Sequence, residues 1–287
     1  MSALPRVRAV LAAGVVLALA SGAAAQTTED RTQDRVAFPA HKIIGNLHYV
    51  GTGTLNSYLF TTPEGHILIN TNFEETVPLL KEAVEKLGFK MTDIKIILGS
   101  HAHGDHMQAD AVIKEMTGGA TVMAMEQDVA GLKGMKAPSG KPHPVDRVLK
   151  DGEQVKLGGT VLTALLTPGH TRGCTTWTTS VTDAGKRYNV IIACGGLQED
   201  ARLVNNKNYP EVAEDWARSI KVYKTLSPDV FLAAHSWFFD LAGKYKRLGS
   251  GGANPYVDPA GYKAWVANME KNYNMLLTEQ RKNPPSN

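Results

Sequence analysis

The hexapeptide His101-Ala102-His103-Gly104-Asp105-His106 holds three imidazoles and one carboxylate, side chains that are costly to gather unless something binds them. Imidazole and carboxylate together are ligands for zinc. His101 and His103 are two apart, so in an extended segment their rings point the same way. Asp105 and His106 fall where the chain turns towards a helical pattern, so they face a neighbouring point. One short loop therefore offers ligands to two adjacent metal ions, half of a dinuclear zinc site. The bland alternative is a polar loop that happens to hold histidines.

Two later histidines share the local setting of His101. The loop residue His101 follows the apolar run Ile94–Leu98, His170 follows the strand pattern ending at Leu166, and His235 follows the one ending near Leu232. Open α/β folds place ligands at such carboxyl ends of strands. His41, His48, His66 and His143 lack this setting and read as surface or core residues.

The surrounding pattern supplies elements to hold these loops. Strands are expected at residues 47–50, 57–60, 66–69, 93–98, 121–124, 155–157, 160–166, 175–181, 188–193 and 229–233. Glu74–Leu87 reads as an amphipathic helix closed by Gly88, and helices are also expected from near Gln108 to Met116, over 126–132 and over 212–226. Asp258 before Pro259 signals the start of a long last helix to about Arg281. Residues 133–144, rich in Gly, Pro and Lys, read as an exposed loop. Runs of strands with helices interspersed in both halves suit an α/β fold of two sheets packed face to face with helices outside.

The chain has 287 residues, enough for one large core. Arg6 and Arg8 precede an apolar run from Ala9 to Ala20, and Ala23-Ala24-Ala25 offers a small-residue cleavage site. Residues 1–25 therefore read as a secretory signal peptide, with 26–287 as a single domain and an uncleaved anchor as the rival reading. Cleavage implies export, to the periplasm of a Gram-negative cell, with no membrane attachment afterwards. Loss of Arg6 and Arg8 takes 31 basic residues to 29, against 28 acidic ones, a balance that gives no reason to expect nucleic acid as a partner. Cys174 and Cys194 are free to form one bridge in an oxidising compartment; a zinc ligand at Cys194, or two buried thiols, are the alternatives.

The motif His101-x-His103-x-Asp105-His106, with His170 in Thr167-Pro168-Gly169-His170-Thr171 and His235 downstream, resembles the metallo-β-lactamase superfamily, and within it subclass 3 of the class B β-lactamases. The likeness runs over nearly the whole mature chain and implies the four-layer αββα sandwich. It implies one Zn²⁺ held by His101, His103 and His170 and a second held by Asp105, His106 and His235. Zinc lowers the pKa of bound water from about 15.7 to about 7, so a zinc-bound hydroxide can open the β-lactam ring of penicillins, cephalosporins and carbapenems, with Asp105 orienting it. The substrate is then a small molecule, and the large C-terminal helices with few exposed apolar signals make a monomer the expectation. The resemblance also implies a Cys174–Cys194 disulfide, worth about 3 kcal/mol through the unfolded state. Relatives of the glyoxalase II kind carry a metal-bridging aspartate after the penultimate strand, where this chain has Ala193-Cys194-Gly195-Gly196.

Three departures from the family pattern stand out. Asn70 replaces an aspartate that buttresses the metal loop, which predicts weaker support of the ligands. Met107 and Gln108 replace small residues, which predicts a narrower pocket. Gly195 and Leu197 stand where some relatives have serines that bind the substrate carboxylate, leaving Asn205, Asn206 and Lys207 as substitutes and Trp237 as either an apolar wall or a core residue. The departures at Asn70, Gly195 and Leu197 motivate one alternative, a related di-zinc hydrolase acting on lactones or other esters; a zinc-binding protein with little turnover is a third reading.

Overall fold

In a sheet covered on both faces, alternate side chains enter two different apolar layers, so its strands are apolar at nearly every position. The computed structural model describes residues 31–285, so the expected signal peptide at 1–25 lies outside the described residues. One sheet runs in chain order through β1 (His41–Ile44), β2 (Leu47–Tyr49), β3 (Tyr58–Thr62), β4 (Gly65–Ile69), β5 (Ile94–Leu98), β6 (Thr121–Met125) and β7 (Arg147–Leu149). The other contains β8 (Gln154–Leu157), β9 (Thr160–Leu166), β10 (Thr175–Asp183), β11 (Lys186–Ala193) and β12 (Val230–Ala233), in the spatial order β12-β11-β10-β9-β8. Strands β4 to β7 are mutually parallel, β12 is parallel to β11, and the remaining pairs are antiparallel.

The alternation is explicit. Phe60, Ile67, Ile69, Ile96 and Leu98 enter a core shared with Trp177, Ile192 and Leu232 of the second sheet. Their neighbours Leu59, Leu68, Ile97 and Val122 face the opposite way, into a layer with Val77, Leu80, Val84 and Ile113. Those last residues belong to α1 (Val77–Lys86) and, beyond the short α2 (Gly104–Met107), to α3 (Asp110–Met116). After α4 (Val129–Gly134) come α5 (Val212–Thr225), α6 (Leu241–Arg247) and α7 (Pro259–Lys282). Trp216 and Ile220 of α5 and Trp265 and Met269 of α7 pack with Ile191 and Phe231 of the second sheet. The layers are thus helix, sheet, sheet, helix, as expected. Each fully buried aliphatic side chain stabilises this stack by about 1.5–3 kcal/mol.

Local signals behave as their chemistry requires. Gly88, at φ +85, follows the end of α1, and Asp258 caps α7 by accepting the Gly261 N–H at 2.8 Å. The helix expected from near Gln108 to Met116 is α3, which begins at Asp110, and the unexpected short turn α2 precedes it. The His106 carbonyl accepts from the Thr71 and Asn72 N–H groups at 2.9 and 3.0 Å, and the Ala109 N–H donates to the Asn72 carbonyl. These tertiary bonds interrupt the helical ladder between α2 and α3. The sequence reading also missed β1, β7 and α6.

Two buried side-chain pairs tie segments that are separate in sequence. Cys174 and Cys194 form a disulfide between the start of β10 and the residue after β11, across 20 positions, which leaves Cys194 no thiolate to offer a metal. Replacing both cysteines by alanine should lower unfolding free energy by about 3 kcal/mol, measured by urea denaturation. The second pair is His143 and Asp110, 3.0 Å apart with both side chains almost wholly buried, which ties the 133–144 loop to α3. Burial disfavours the charged imidazole, but the hydrogen bond and charge of Asp110 outweigh it and lift the His143 pKa above its ordinary 6.5. A raised folded-state pKa stabilises the protein below the unfolded value and ceases to do so as pH rises through the folded one. The stability difference between wild type and His143→Gln should therefore be larger at about pH 6 than at about pH 9, measured by the same denaturation.

Candidate functional site

Strands β4, β5, β9, β11 and β12 all deliver their C-terminal ends to one edge of the sandwich. There the two sheets are stitched together. Thr175 N–H donates to the Ser100 carbonyl at 2.8 Å and the Trp177 indole N–H to the Gly99 carbonyl at 3.0 Å. Asn56 Nδ2 and the Tyr58 hydroxyl both donate to the Ala233 carbonyl, each at 2.7 Å. The loops leaving this edge carry the six predicted ligand residues, and the structure brings all six together.

His101, His103 and His170 lie with their ligand atoms within 4.8 Å of one another. Beside them, His106 Nε2 is 3.1 Å from His235 Nε2. Asp105 Oδ2 lies 3.6 Å from the first of these nitrogens and 3.7 Å from the second. The His101 and His106 rings, 4.2 Å apart between centroids, join the two groups. His103 is exposed on the rim, while His101, Asp105, His106 and His235 are buried.

Burial holds His101, His106 and His235 well below the ordinary imidazole pKa, and repulsion from neighbouring imidazoles acts in the same direction. Burial and the charge of His103 lower His170 to about 3. These rings are therefore neutral at physiological pH, the form in which a ring nitrogen ligates a metal. His101 Nε2 and His235 Nδ1 are buried without a hydrogen-bond partner among the described residues, a cost of about 1–3 kcal/mol each in a site that held nothing. The donor set, neutral nitrogens with one carboxylate, fits zinc.

Three surrounding residues escaped the sequence reading. Buried Asp128 accepts from the Ala102 N–H at 2.8 Å, the Gly173 N–H at 2.7 Å and the Thr171 hydroxyl at 2.8 Å. It clamps the 101–106 loop to the loop after His170. Arg31 reaches Asp105 Oδ2 at 3.3 Å from the N-terminal arm. Ser100 Oγ lies 3.1 Å from His101 Nδ1. No local spacing marks any of these three.

The departures from the family pattern resolve individually. Met107 does not narrow the site: it is buried with Ala124 and Leu132 and fills the space a Cβ at Gly99 would need. Gln108 accepts from the Glu74 N–H and donates to the Lys136 carbonyl. Asn70, wholly buried at φ +65, accepts the Ser100 N–H at 2.8 Å and donates to the Asn56 carbonyl at 3.1 Å. Gly195 lies against the His170 ring, where an added Cβ would sit 3.6 Å from Cγ. Trp237 stacks on His235 with centroids 4.1 Å apart. Leu197 and Trp237 line a cavity of about 810 Å³ with Phe231, Phe238 and Trp265, and none of the six ligand-type residues lines it. Asn206 binds within its own loop, donating to the Arg202 carbonyl and accepting from the Tyr209 N–H.

Comparison with known proteins matches residues 50–182 to the metallo-β-lactamase superfamily. The FEZ-1 metallo-β-lactamase of Legionella gormanii is 46% identical, with a TM-score of 0.81 over 86% of this chain and 98% of that one. The class B3 di-zinc metallo-β-lactamase LRA-12 from an Alaskan soil metagenome is 31% identical, with a TM-score of 0.80 over 88% and 98%. The hydroxyacylglutathione hydrolase of Fuscovulum blasticum is 32% identical over 99 residues, 34% of this chain and 33% of that protein. The chain thus spans about a third of that curated relative and nearly all of the two lactamases.

Asp128→Ala should strand three buried or half-buried donors, destabilise the fold by about 3 kcal/mol, and weaken zinc affinity roughly 10–100-fold. Denaturation and zinc-competition titrations would measure the two effects.

Proposed function

We propose that this chain, which belongs to the metallo-β-lactamase superfamily, is a zinc-dependent hydrolase that opens the β-lactam ring. The observation carrying this reading is the convergence of two three-residue ligand groups, His101/His103/His170 and Asp105/His106/His235, at one strand edge. Each group would hold one Zn²⁺. Bound zinc supplies a Lewis acid for the lactam carbonyl and makes water nucleophilic near neutral pH.

The chain's own residues do the rest. The buried imidazoles offer lone pairs because their surroundings keep protons off them. Asp105 Oδ2, facing both Nε2 atoms, accepts a hydrogen bond from the attacking water and aims its lone pair at the carbonyl carbon. Arg31 holds Asp105 from the solvent side and adds positive charge where an anionic substrate arrives. Trp237 keeps the His235 ring in place and shields it from water. The absence of an acid from Ala193 to Gly196 separates this donor set from that of aspartate-bridged hydrolases.

The mature protein acts as a monomer in the periplasm, after removal of residues 1–25. The Cys174–Cys194 bond suits that oxidising compartment. No helix of the described residues is long and apolar enough to cross a membrane.

The zinc-loaded protein should hydrolyse penicillins, cephalosporins and carbapenems, lose that activity to a chelator and regain it with zinc. Asp105→Asn should lower kcat on the order of 100-fold. Side-by-side rates on these lactams and an acyl-lactone check the assignment; lactone cleavage far faster than any lactam cleavage would contradict it.

A further inference from the structure

We propose that Asn70 makes the Asp105/His106/His235 position the weaker of the two zinc sites, by presenting a hydrogen-bond donor where the His106 ring needs an acceptor. The inference rests on the two-zinc reading above and goes beyond it to rank the two positions.

His106 points Nε2 at His235 Nε2 and Asp105 Oδ2, so Nε2 is the atom that would ligate a metal. A neutral imidazole ligating through Nε2 carries its proton on Nδ1, and the group opposite Nδ1 decides how well that tautomer is supported. Here that group is Asn70 Nδ2, 3.4 Å away. The orientation of the Asn70 amide is fixed by its other partners. Its oxygen accepts the Ser100 N–H at 2.8 Å and its nitrogen donates to the Asn56 carbonyl at 3.1 Å. Turning the amide over would set NH₂ against the Ser100 N–H and oxygen against the Asn56 carbonyl, two mismatches to cure one. All of this is wholly buried, so no water can intervene cheaply.

Two donors therefore face each other when His106 carries its proton on Nδ1. The other tautomer satisfies both nitrogens of His106: Asn70 donates to Nδ1, and His106 Nε2–H donates to His235 Nε2. The first site has no such conflict, because the group beside His101 Nδ1 is the Ser100 hydroxyl, which can accept as well as donate. Asn70 is a positioning residue acting through His106. A carboxylate at position 70 would accept from both Ser100 N–H and His106 Nδ1–H, and would give up the bond to the Asn56 carbonyl to do so.

The test removes zinc in steps from the zinc-loaded protein with chelators of graded strength, and measures the zinc retained. Wild type should release one zinc at a free-zinc level roughly 10–100-fold higher than the other. In Asn70→Asp, whose native fold is checked by circular dichroism, that gap should narrow by a similar factor. Long-range ¹H–¹⁵N spectra of the wild-type one-zinc form should show His106 with its proton on Nε2, a readout that needs no variant. Two zinc ions leaving wild type in a single step, an unchanged gap in Asn70→Asp, or an Nδ1–H His106 in the one-zinc form overturns the proposal while leaving the two-zinc reading intact. A chain that holds no second zinc in either protein overturns both.

Discussion

Imidazoles crowded against one another at the end of a β-sandwich are tolerable only while the buried ones stay uncharged. Burial and mutual repulsion enforce that state on His101, His106, His170 and His235, and the same two effects make their lone pairs available. The arrangement is unfavourable by itself, since buried ring nitrogens such as His101 Nε2 lack partners. A divalent cation reverses the balance by supplying the charge that the ring nitrogens are oriented to meet.

That demand explains how rigidly the edge is built. The sheets are cross-linked by Trp177 to Gly99 and by Tyr58 and Asn56 to Ala233, while the Cys174–Cys194 bond ties β10 to β11 within the second sheet. Asp128 joins the two ligand loops, and the bonds from Thr71 and Asn72 to His106 cut the helix so that Asp105 and His106 turn inward. Each of these ties two distant stretches of chain, so the ligand geometry is set by the packing of the whole sandwich. Asn70 belongs to the same scaffold, and its amide settles the alignment of Ser100 and Asn56 at the expense of His106.

The ligands were legible in the sequence because their spacing is local: four residues within one hexapeptide, then one histidine just past each of two apolar strands. The layers were legible for a similar reason, since strands such as Ile67-Leu68-Ile69 must be covered on both sides. What escaped is what tertiary pairing decides. Strand β7 has three residues, two of them exposed, and gains its identity from β6. Asp128 looks like any acid near a helix start, and Arg31 like any charge in a polar arm. Met107 reads as bulk near the site until the structure turns it into the cluster with Ala124 and Leu132. The orientation of the Asn70 amide depends on partners 14 and 30 positions away.

The most direct test of the central claim is X-ray absorption at the zinc edge on protein saturated with zinc. The account predicts nitrogen and oxygen neighbours only, outer-shell scattering from several imidazoles per metal, and a zinc–zinc distance of about 3.5–4 Å. A sulfur neighbour, or a saturated protein with no zinc–zinc vector, would contradict it.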